Sequence, residues 1–275
     1  MKLFLPGLLI ILSASCVNGK EKIYIGSTPA TSIVVRSFLG IPMADSVDFI
    51  KWKFAIEDNR YSLQCQFGIS KPNTDGFMND GTKVELRGDL RREKNYYHLQ
   101  NGNKTLMMLE LNNNLLHILT EDKTLLVGNS GWSYTLNIDQ PSLTDKINII
   151  SKQSPIKDSI VFEGRTPCSV PGIIPSGMLC YKLKWYIILY TNAEMNTAGT
   201  YRVYGTPYRK EGGRTGNWKL ITGEDGRIIY QLNNDRGGGF LFLLKLDENI
   251  VVLTHVEGKL LVGDKDFSFT LNRRS

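Results

Sequence analysis

The chain has 275 residues, of which 41% are hydrophobic and 22% charged, a composition typical of a globular protein with one large domain or two smaller ones. The formal net charge is +6, and the basic residues are scattered along the chain. A nucleic-acid-binding protein usually gathers lysine and arginine on one face or arm, so we expect no nucleic-acid partner. A solvated basic surface fits better, with attraction to an anionic envelope surface or glycan as the alternative.

The N-terminus has the features of an export signal. Residues 1–19 contain a positive charge, a short apolar run and then small residues, and the run is too short for a permanent membrane span. Cleavage after Gly19 is one interpretation. The other is that "LSASC" resembles a bacterial lipobox, which would make 1–15 the leader and Cys16 a lipid-modified first residue. We favour the lipoprotein, although Ser13 stands where a lipobox prefers leucine.

The segments that follow alternate between apolar and polar residues with a period of two. In "KVELRG" Val84 and Leu86 share one face, and in "WSYTLNI" the residues at 132, 134, 136 and 138 do the same. This period is typical of half-buried strands, and turn residues separate the segments at short intervals. Open edges of such apolar strands would aggregate, so we predict closed antiparallel barrels.

The chain repeats itself. A shift of 135 residues aligns the two longest matching segments without a gap, and Trp52 falls on Trp185 in another pair. Such a match predicts a duplicated unit. We therefore expect an all-β fold of two tandem small barrels, with "LLVG…TLN" as the closing hairpin of each. The matched segments are 106–138 with 241–273, 23–29 with 161–167, and 49–56 with 182–189. The predicted boundaries are 20–138 for the first barrel, 139–159 for a linker and 160–275 for the second barrel.

Two cysteines distinguish the second copy from the first. Cys168 and Cys180 are both present in the second unit and both missing from the first, which predicts a disulfide in an exported protein. Closing this loop would stabilise the fold by about 3 kcal/mol. Cys65 is then a free, inert thiol. The alternative is a copper site, because Cys168, Met178 and Cys180 are soft donors that suit Cu(I).

Two further features are candidates for ligand binding. Trp52 and Trp185 stand early in each unit, where an indole either closes a barrel or lines a cavity. The loops at 34–48 and 168–180 follow the first strand of each unit and carry apolar residues, which would form a lid over a barrel mouth or plug it. The loop residues that we predict to contact a ligand are Phe38, Met43 and Ile174.

Catalytic motifs are absent from the sequence. The three histidines, His98, His117 and His255, have no histidine at the equivalent position of the other copy and no partner at metal-ligand spacing. The carboxylate of Glu110 lies beside a hairpin turn, where a solvated acid is expected. We therefore predict that the protein is not an enzyme and carries no cofactor.

The second copy resembles a known family. It runs from "VFEGRTPC" through "KLKWYIILY" to "TYRVYGTPYRK", and over 160–205 it is similar to the N-terminal domain of the copper-resistance lipoprotein NlpE family, with a weaker echo at 23–68. The resemblance implies a lipocalin-like barrel on the envelope of Gram-negative bacteria. That family has a C-x-x-C pair here: Cys168 matches its first cysteine, Pro171 replaces the second, and Ala30 replaces the first in copy one.

Together these patterns predict an exported envelope protein, either anchored in the outer membrane by a lipid or free in the periplasm or outside the cell. Its expected role is to bind or sense a small apolar ligand or an envelope protein. The alternatives are a metal-responsive lipoprotein, a hydrolase with close carboxylates or a His–acid pair in a polar barrel cavity, and a structural surface-interaction module. An empty barrel interior of roughly 300–1,000 Å³ favours ligand binding inside the barrel, and a filled interior favours interaction at the surface.

Overall fold

The computed structural model describes residues 21–142, 147–148, 158–174, 179–192, 197–209, 212–256 and 258–274. It contains two closed antiparallel barrels of eight strands each, which confirms the all-β tandem-barrel prediction. Within each barrel, strands adjacent in sequence pair with one another and the last strand pairs with the first. The leader and Cys16 lie outside the described residues. Among the residues described, no helix is long and apolar enough to cross a lipid bilayer.

The first barrel closes where its last strand pairs with its first, with Tyr24 opposite Ile138 and Ile25 opposite Asn137. Inward and outward side chains alternate along the strands, as the sequence period predicts. The strands are β1 (Lys22–Pro29), β2 (Phe49–Glu57), β3 (Arg60–Gly68), β4 (Thr82–Glu93), β5 (Tyr96–Asn101), β6 (Lys104–Asn112), β7 (Leu115–Ile118) and β8 (Thr135–Ile138).

A short helix, α1 (Ile33–Leu39), packs at one end of the first barrel. We expected a loop over 34–48, so this helix was missed. Ser32 caps it by accepting a hydrogen bond from the Val35 N–H at 3.3 Å, and Gly40 ends it at a left-handed φ of 73°. Phe38 and Leu39 are buried in the barrel core. The segment therefore acts as a plug.

The opposite end of the first barrel contains a buried ion-pair network around Glu110. The expectation of a solvated acid here was wrong, because Glu110 points inward on β6 and is 1% exposed. Its carboxylate lies 2.6 Å from Arg92 and 3.6 Å from Lys22, and it accepts a hydrogen bond from the Tyr97 hydroxyl at 3.3 Å. Two cations and a hydroxyl satisfy a carboxylate that would otherwise be costly to bury.

The second barrel repeats this architecture, and its last strand pairs with its first at Asn272 and Glu163. The hydroxyl of Tyr201 donates to the Asn233 carbonyl at 2.8 Å, just as Tyr61 donates to Gln100 in the first barrel. The strands are β9 (Ser159–Thr166), β10 (Leu183–Asn192), β11 (Thr197–Gly205), β12 (Arg214–Thr222), β13 (Ile228–Asn233), β14 (Gly239–Lys245), β15 (Ile250–Thr254) and β16 (Thr270–Arg273).

The predicted disulfide is present. Cys168 and Cys180 are bonded with their Cα atoms 6.0 Å apart, and both side chains pack against the core of the second barrel. The bond ties the segment after β9 to the start of β10.

We expect the double variant Cys168→Ala/Cys180→Ala to unfold about 3 kcal/mol more easily than the native chain, because the cross-link restricts the unfolded state. Urea unfolding with and without reductant measures this difference. Reductant should lower native stability to that of the double variant and leave the variant unchanged. Equal stability of the oxidised protein and the variant would contradict a stabilising bridge.

The two barrels meet through the repeated segment that ends in "TLN", and the contacts are reciprocal. Asn272 Oδ1 accepts from the Gly128 N–H at 2.8 Å, and Asn137 Oδ1 accepts from the Gly263 N–H at 2.9 Å. Ser133 contacts its own repeat, Ser268, at 2.7 Å. Reciprocal contacts of this kind are what a two-fold axis between two like units produces.

The same interface buries apolar surface. Leu109, Leu111, Leu115 and Leu119, which belong to the first barrel, form one buried cluster with the core residues of the second. The prediction for "LLVG…TLN" needs a correction: "TLN" lies in the closing strand, but "LLVG" belongs to a loop between β7 and β8. A Cβ on Gly128 would lie 2.2 Å from the Trp132 carbonyl oxygen of its own loop and 2.8 Å from Asn272 Nδ2 of the second barrel. The close approach of the loop backbone to itself therefore requires glycine here, and the interface lies against the same position.

Candidate functional site

An open cleft of about 380 Å³ lies where the two barrels meet. The first barrel contributes β1, the start of β2, the turn after β3 and the segment before β8. The second barrel contributes the end of β9, the start of β10 with the segment before it, and the segment before β16. The volume is within the range of small-molecule sites. Residues lining the cleft are Ser27, Phe49, Ser70, Lys71, Asn73, Thr74, Asp75, Trp132, Arg165, Tyr181, Lys182, Lys184, Asp266 and Phe267.

One wall of the cleft is built on Trp132. Its ring stacks on Phe49 with centroids 4.6 Å apart and an angle of 6° between the planes, and Phe49 stacks in turn on Phe77. The guanidinium of Arg165 lies 5.3 Å from the Trp132 ring centroid. This cation–π contact crosses the barrel interface and fixes the position of the arginine.

The other wall is built on Phe267, the repeat equivalent of Trp132. Tyr181 meets Phe267 edge to face at 6.5 Å, and Lys182 Nζ lies 5.5 Å from the Phe267 ring centroid. Phe267 is buried, whereas Tyr181 is 55% exposed. The ring of Tyr181 therefore offers an apolar face to the cleft, while its hydroxyl is hydrogen-bonded to the Asp75 carboxylate.

The charges of the cleft are unbalanced. Four cations and two carboxylates line it, and one of the carboxylates, Asp266, already pairs with Lys51 at 3.0 Å. Within the described part of the chain, Arg165, Lys182 and Lys184 have no carboxylate within 4.0 Å. The cleft therefore holds an excess of positive charge next to aromatic rings.

Burial and mutual repulsion disfavour the charged forms of these groups. Burial lowers the pKa of Arg165, and the pKa of Lys182 is lowered by burial first and then by the nearby charges of Arg165 and Lys184. Burial raises the pKa of Asp266, which the Lys51 ammonium opposes. A bound anion would relieve the repulsion among the cations, and this is the property expected of an anion-binding site.

The cleft also presents hydrogen-bonding groups for hydroxyls. Ser70, Asn73, Thr74 and Asp75 lie on the turn after β3 and line the cleft. The arrangement can hold a negatively charged group, stack a flat ring on Tyr181 and bond to several hydroxyls at once.

Neither of the two tryptophans predicted to contact a ligand lines the cleft, although Trp52 lies against a groove of about 420 Å³ on the first barrel. Trp52 and Trp185 are each 3% exposed and lie in different barrels. Their indole N–H groups donate to Thr28 and Thr166, each at 2.8 Å. The same hydrogen bond forms in both copies, so the two tryptophans occupy equivalent positions in the framework of their barrels.

The structure does not bring the other predicted contact residues together. Phe38 is buried in the first barrel, Met43 is 60% exposed, and Ile174 packs partly buried against the second barrel. None of the three lines the cleft.

The alternative prediction of a copper site requires free thiols at Cys168 and Cys180, and the structure does not show them free. Cys168 and Cys180 form the disulfide, and Met178 lies outside the described residues. No group of three or more His, Cys, Asp or Glu side chains is placed to hold a metal in the chain as described. Cys65 is a free thiol on β3, as predicted, and burial raises its pKa.

Sequence reasoning missed the cleft residues. The period-two pattern placed Trp132 on the inward face with Tyr134, but β8 begins only at Thr135, so Trp132 turns into the cleft. The available sign was the repeat itself, because an aromatic residue stands at both 132 and 267 next to identical polar residues.

In comparisons with known proteins, no family model, no curated protein and no solved structure matches this chain.

Proposed function

We propose that this protein is a non-catalytic binding module of the bacterial cell envelope that holds an acidic sugar in the cleft between its barrels. The observation that carries the proposal is a group of three cations, Arg165, Lys182 and Lys184, that have no carboxylate within 4.0 Å among the described residues and lie beside the exposed ring of Tyr181. The cations select a carboxylate, the ring stacks on the apolar face of a sugar, and the polar turn after β3 bonds to its hydroxyls.

The packing of the barrels supports a site on the outside. Inward side chains of both barrels belong to buried clusters, and α1 and the Glu110 network close the ends of the first. Cavities of about 380, 480, 420 and 520 Å³ that are lined by described residues are open to solvent rather than enclosed. These features favour surface interaction over a ligand enclosed in a barrel.

The envelope location is supported by the sequence. The export signal, the lipobox-like "LSASC" ending at Cys16 and the resemblance to the NlpE family all favour an exported lipoprotein. The disulfide between Cys168 and Cys180 fits an oxidising compartment. In such a location an acidic glycan is within reach of the cleft.

The proposal predicts that galacturonate binds and that uncharged galactose does not. Calorimetric titration at low salt measures both, and Arg165→Ala/Lys182→Ala should weaken galacturonate binding by about tenfold or more, because each hydrogen bond to a charged group contributes about 1.5–3 kcal/mol. The matched control is Lys219→Ala, an exposed lysine on β12 that does not line the cleft.

Equal binding of galactose and galacturonate would contradict the role of the cations. An undiminished affinity in the double variant would place the site elsewhere. Thermal unfolding of each variant, measured in parallel, separates loss of the site from loss of the fold.

A further inference from the structure

A second basic surface continues the cleft across the first barrel. A groove of about 420 Å³ runs over the outer face of β1–β4, with a loop of the second barrel as its other wall. We call it the lysine groove. Its outward or wall-forming side chains are Ile25, Lys51, Lys53, Gln64, Gln66, Lys83, Glu85 and Lys265.

The strand register explains how the groove forms. Ser27, Lys51, Gln66 and Lys83 stand opposite one another across four neighbouring strands and form one outward row. Ile25, Lys53, Gln64 and Glu85 form the next row on the same face. Neighbouring strands lie about 4.8 Å apart, so side chains in a row are close enough to contact one ligand.

The groove and the cleft are continuous. Ser27 lines the cleft and Ile25 lines the groove, and the two are alternate residues of β1, about 7 Å apart along the strand. The Ser27 hydroxyl donates to the Lys265 carbonyl at 3.1 Å, which holds the loop of the second barrel beside both. The Lys51–Asp266 ion pair lies at the junction.

The charge of the groove has the same sign as that of the cleft. Lys53, Lys83 and Lys265 are exposed, and Glu85 is the single acid among the lining residues. Lys53 and Lys83 have no carboxylate within 4.0 Å in the described chain. Positive charge therefore extends from Lys182 and Arg165 over the interface to the far side of β4.

We infer that the ligand is a polymer, an acidic polysaccharide whose chain end occupies the cleft and whose following residues lie in the lysine groove. This inference rests on the proposed function. Separated lysines with the amides of Gln64 and Gln66 between them match spaced carboxylates and hydroxyls. The groove has Ile25 but no exposed aromatic ring among its lining residues, whereas proteins that bind single-stranded nucleic acids use aromatic rings to stack bases.

The test compares galacturonate with polygalacturonate on the full exported chain. The native protein should bind the polymer more tightly than the monomer, and Lys53→Gln/Lys83→Gln should weaken polymer binding about tenfold while leaving monomer binding unchanged. The salt dependence of polymer binding should become shallower by about 1.5 in log–log slope, because two fewer counterions are displaced. The control Lys219→Gln/Arg236→Gln removes two exposed charges of the second barrel outside both surfaces.

Each outcome separates the two proposals. If the native chain does not bind the monomer, the proposed cleft function fails. If it binds the monomer but the groove variant holds the polymer as tightly as the native protein, the groove inference fails alone. If the control variant loses as much polymer affinity as the groove variant, the effect is one of net charge and the groove inference fails. If oligothymidylate of matched charge binds as tightly as polygalacturonate, the polysaccharide assignment is overturned.

Discussion

Asn137→Ala is expected to lower the free energy of unfolding by about 3 kcal/mol, although Asn137 is a polar residue at the end of a strand. Its side chain is 0% exposed and lies in the interface between the barrels. It accepts from the Gly263 N–H at 2.9 Å and donates to the Asp264 carbonyl at 2.9 Å. Alanine removes both hydrogen bonds, leaves the half-buried Gly263 N–H without its side-chain partner and opens space at a fully buried position, and losses of this kind cost about 1–3 kcal/mol each.

The reciprocal interface makes a stronger form of this prediction. Asn272→Ala should lower the free energy of unfolding by about as much as Asn137→Ala. Asn272 makes the equivalent contacts on the other side of the interface, to the Gly128 N–H and to the carbonyl of Asn129. Urea unfolding monitored by tryptophan fluorescence and by circular dichroism measures both. Asn217→Ala, an exposed position on β12, is the control and should change little.

A large cost for one asparagine and none for the other would contradict the two-fold interface. If the two probes also separate into two transitions in either variant, the barrels have lost their coupling while remaining folded, which locates the damage at the interface.

The barrel fold follows from the sequence because its determinants are local. The period-two alternation in β4 and the turn residues between strands specify hairpins, and apolar edges specify closure. Helix α1 was missed because it is short, but Ser32 and Gly40 mark its two ends. Glu110 was predicted to be exposed to solvent because a carboxylate at a strand end is expected to point inward only if cations accompany it. The sequence alone did not show that Arg92 and Lys22 lie next to it.

The site could not be read from the sequence because its parts are distant along the chain. Lys71 follows β3, Arg165 is on β9 and Lys182 precedes β10, and only the docking of two closed barrels brings them together. The contact between the barrels can nevertheless be recognised in the repeated sequence. In the predicted strand, Ser133, Thr135 and Asn137 stand on the face opposite the apolar residues, yet all three are buried in the interface. Ser133 contacts its own repeat Ser268, and Thr135 contacts its own repeat Thr270.

The identity of these polar residues in the two copies has a physical reason. In a solvent-exposed strand, polar residues are interchangeable and two copies of a duplicated unit diverge there. In a reciprocal interface residue i of one unit contacts residue j of the other, and residue j of the first contacts residue i of the second, as the pairs Asn137–Gly263 and Gly128–Asn272 do. Both copies are therefore held to the same residues at these positions. Identical polar residues at equivalent positions of a duplication therefore indicate an interface between the copies.

The second prediction concerns His117, which is buried in the same interface. Its Nε2 lies 3.0 Å from the Leu126 carbonyl, which can only accept, so Nε2 carries the proton. Nδ1 then accepts from the Thr135 hydroxyl at 2.9 Å, and Thr135 accepts from Thr270 of the second barrel at 2.9 Å. The chain of hydrogen bonds is complete only while the imidazole is neutral.

Burial lowers the pKa of His117 from 6.5 to about 4, and the hydrogen bond to Leu126 opposes this only in part. Between these two values the unfolded chain binds a proton at this position and the folded protein does not. Stability therefore falls as the pH drops from 6.5, by about 1.4 kcal/mol per unit, and about 3 kcal/mol is lost by pH 4. From about one pH unit above 6.5 the group is neutral in both states and has no effect on the pH dependence.

The measurement is the difference in free energy of unfolding between the native chain and His117→Gln from pH 4 to pH 8, since the carboxylates titrate alike in both and cancel. The difference should be constant from about one pH unit above 6.5 and should shift by about 3 kcal/mol in favour of the variant as the pH falls to 4. His255→Gln removes an exposed histidine and should show no such shift. A flat difference for His117→Gln would mean that the imidazole accepts a proton within the interface. The hydrogen bond from Thr135 to Nδ1 would then have to reverse, and the chain of donors that joins the barrels would run the other way.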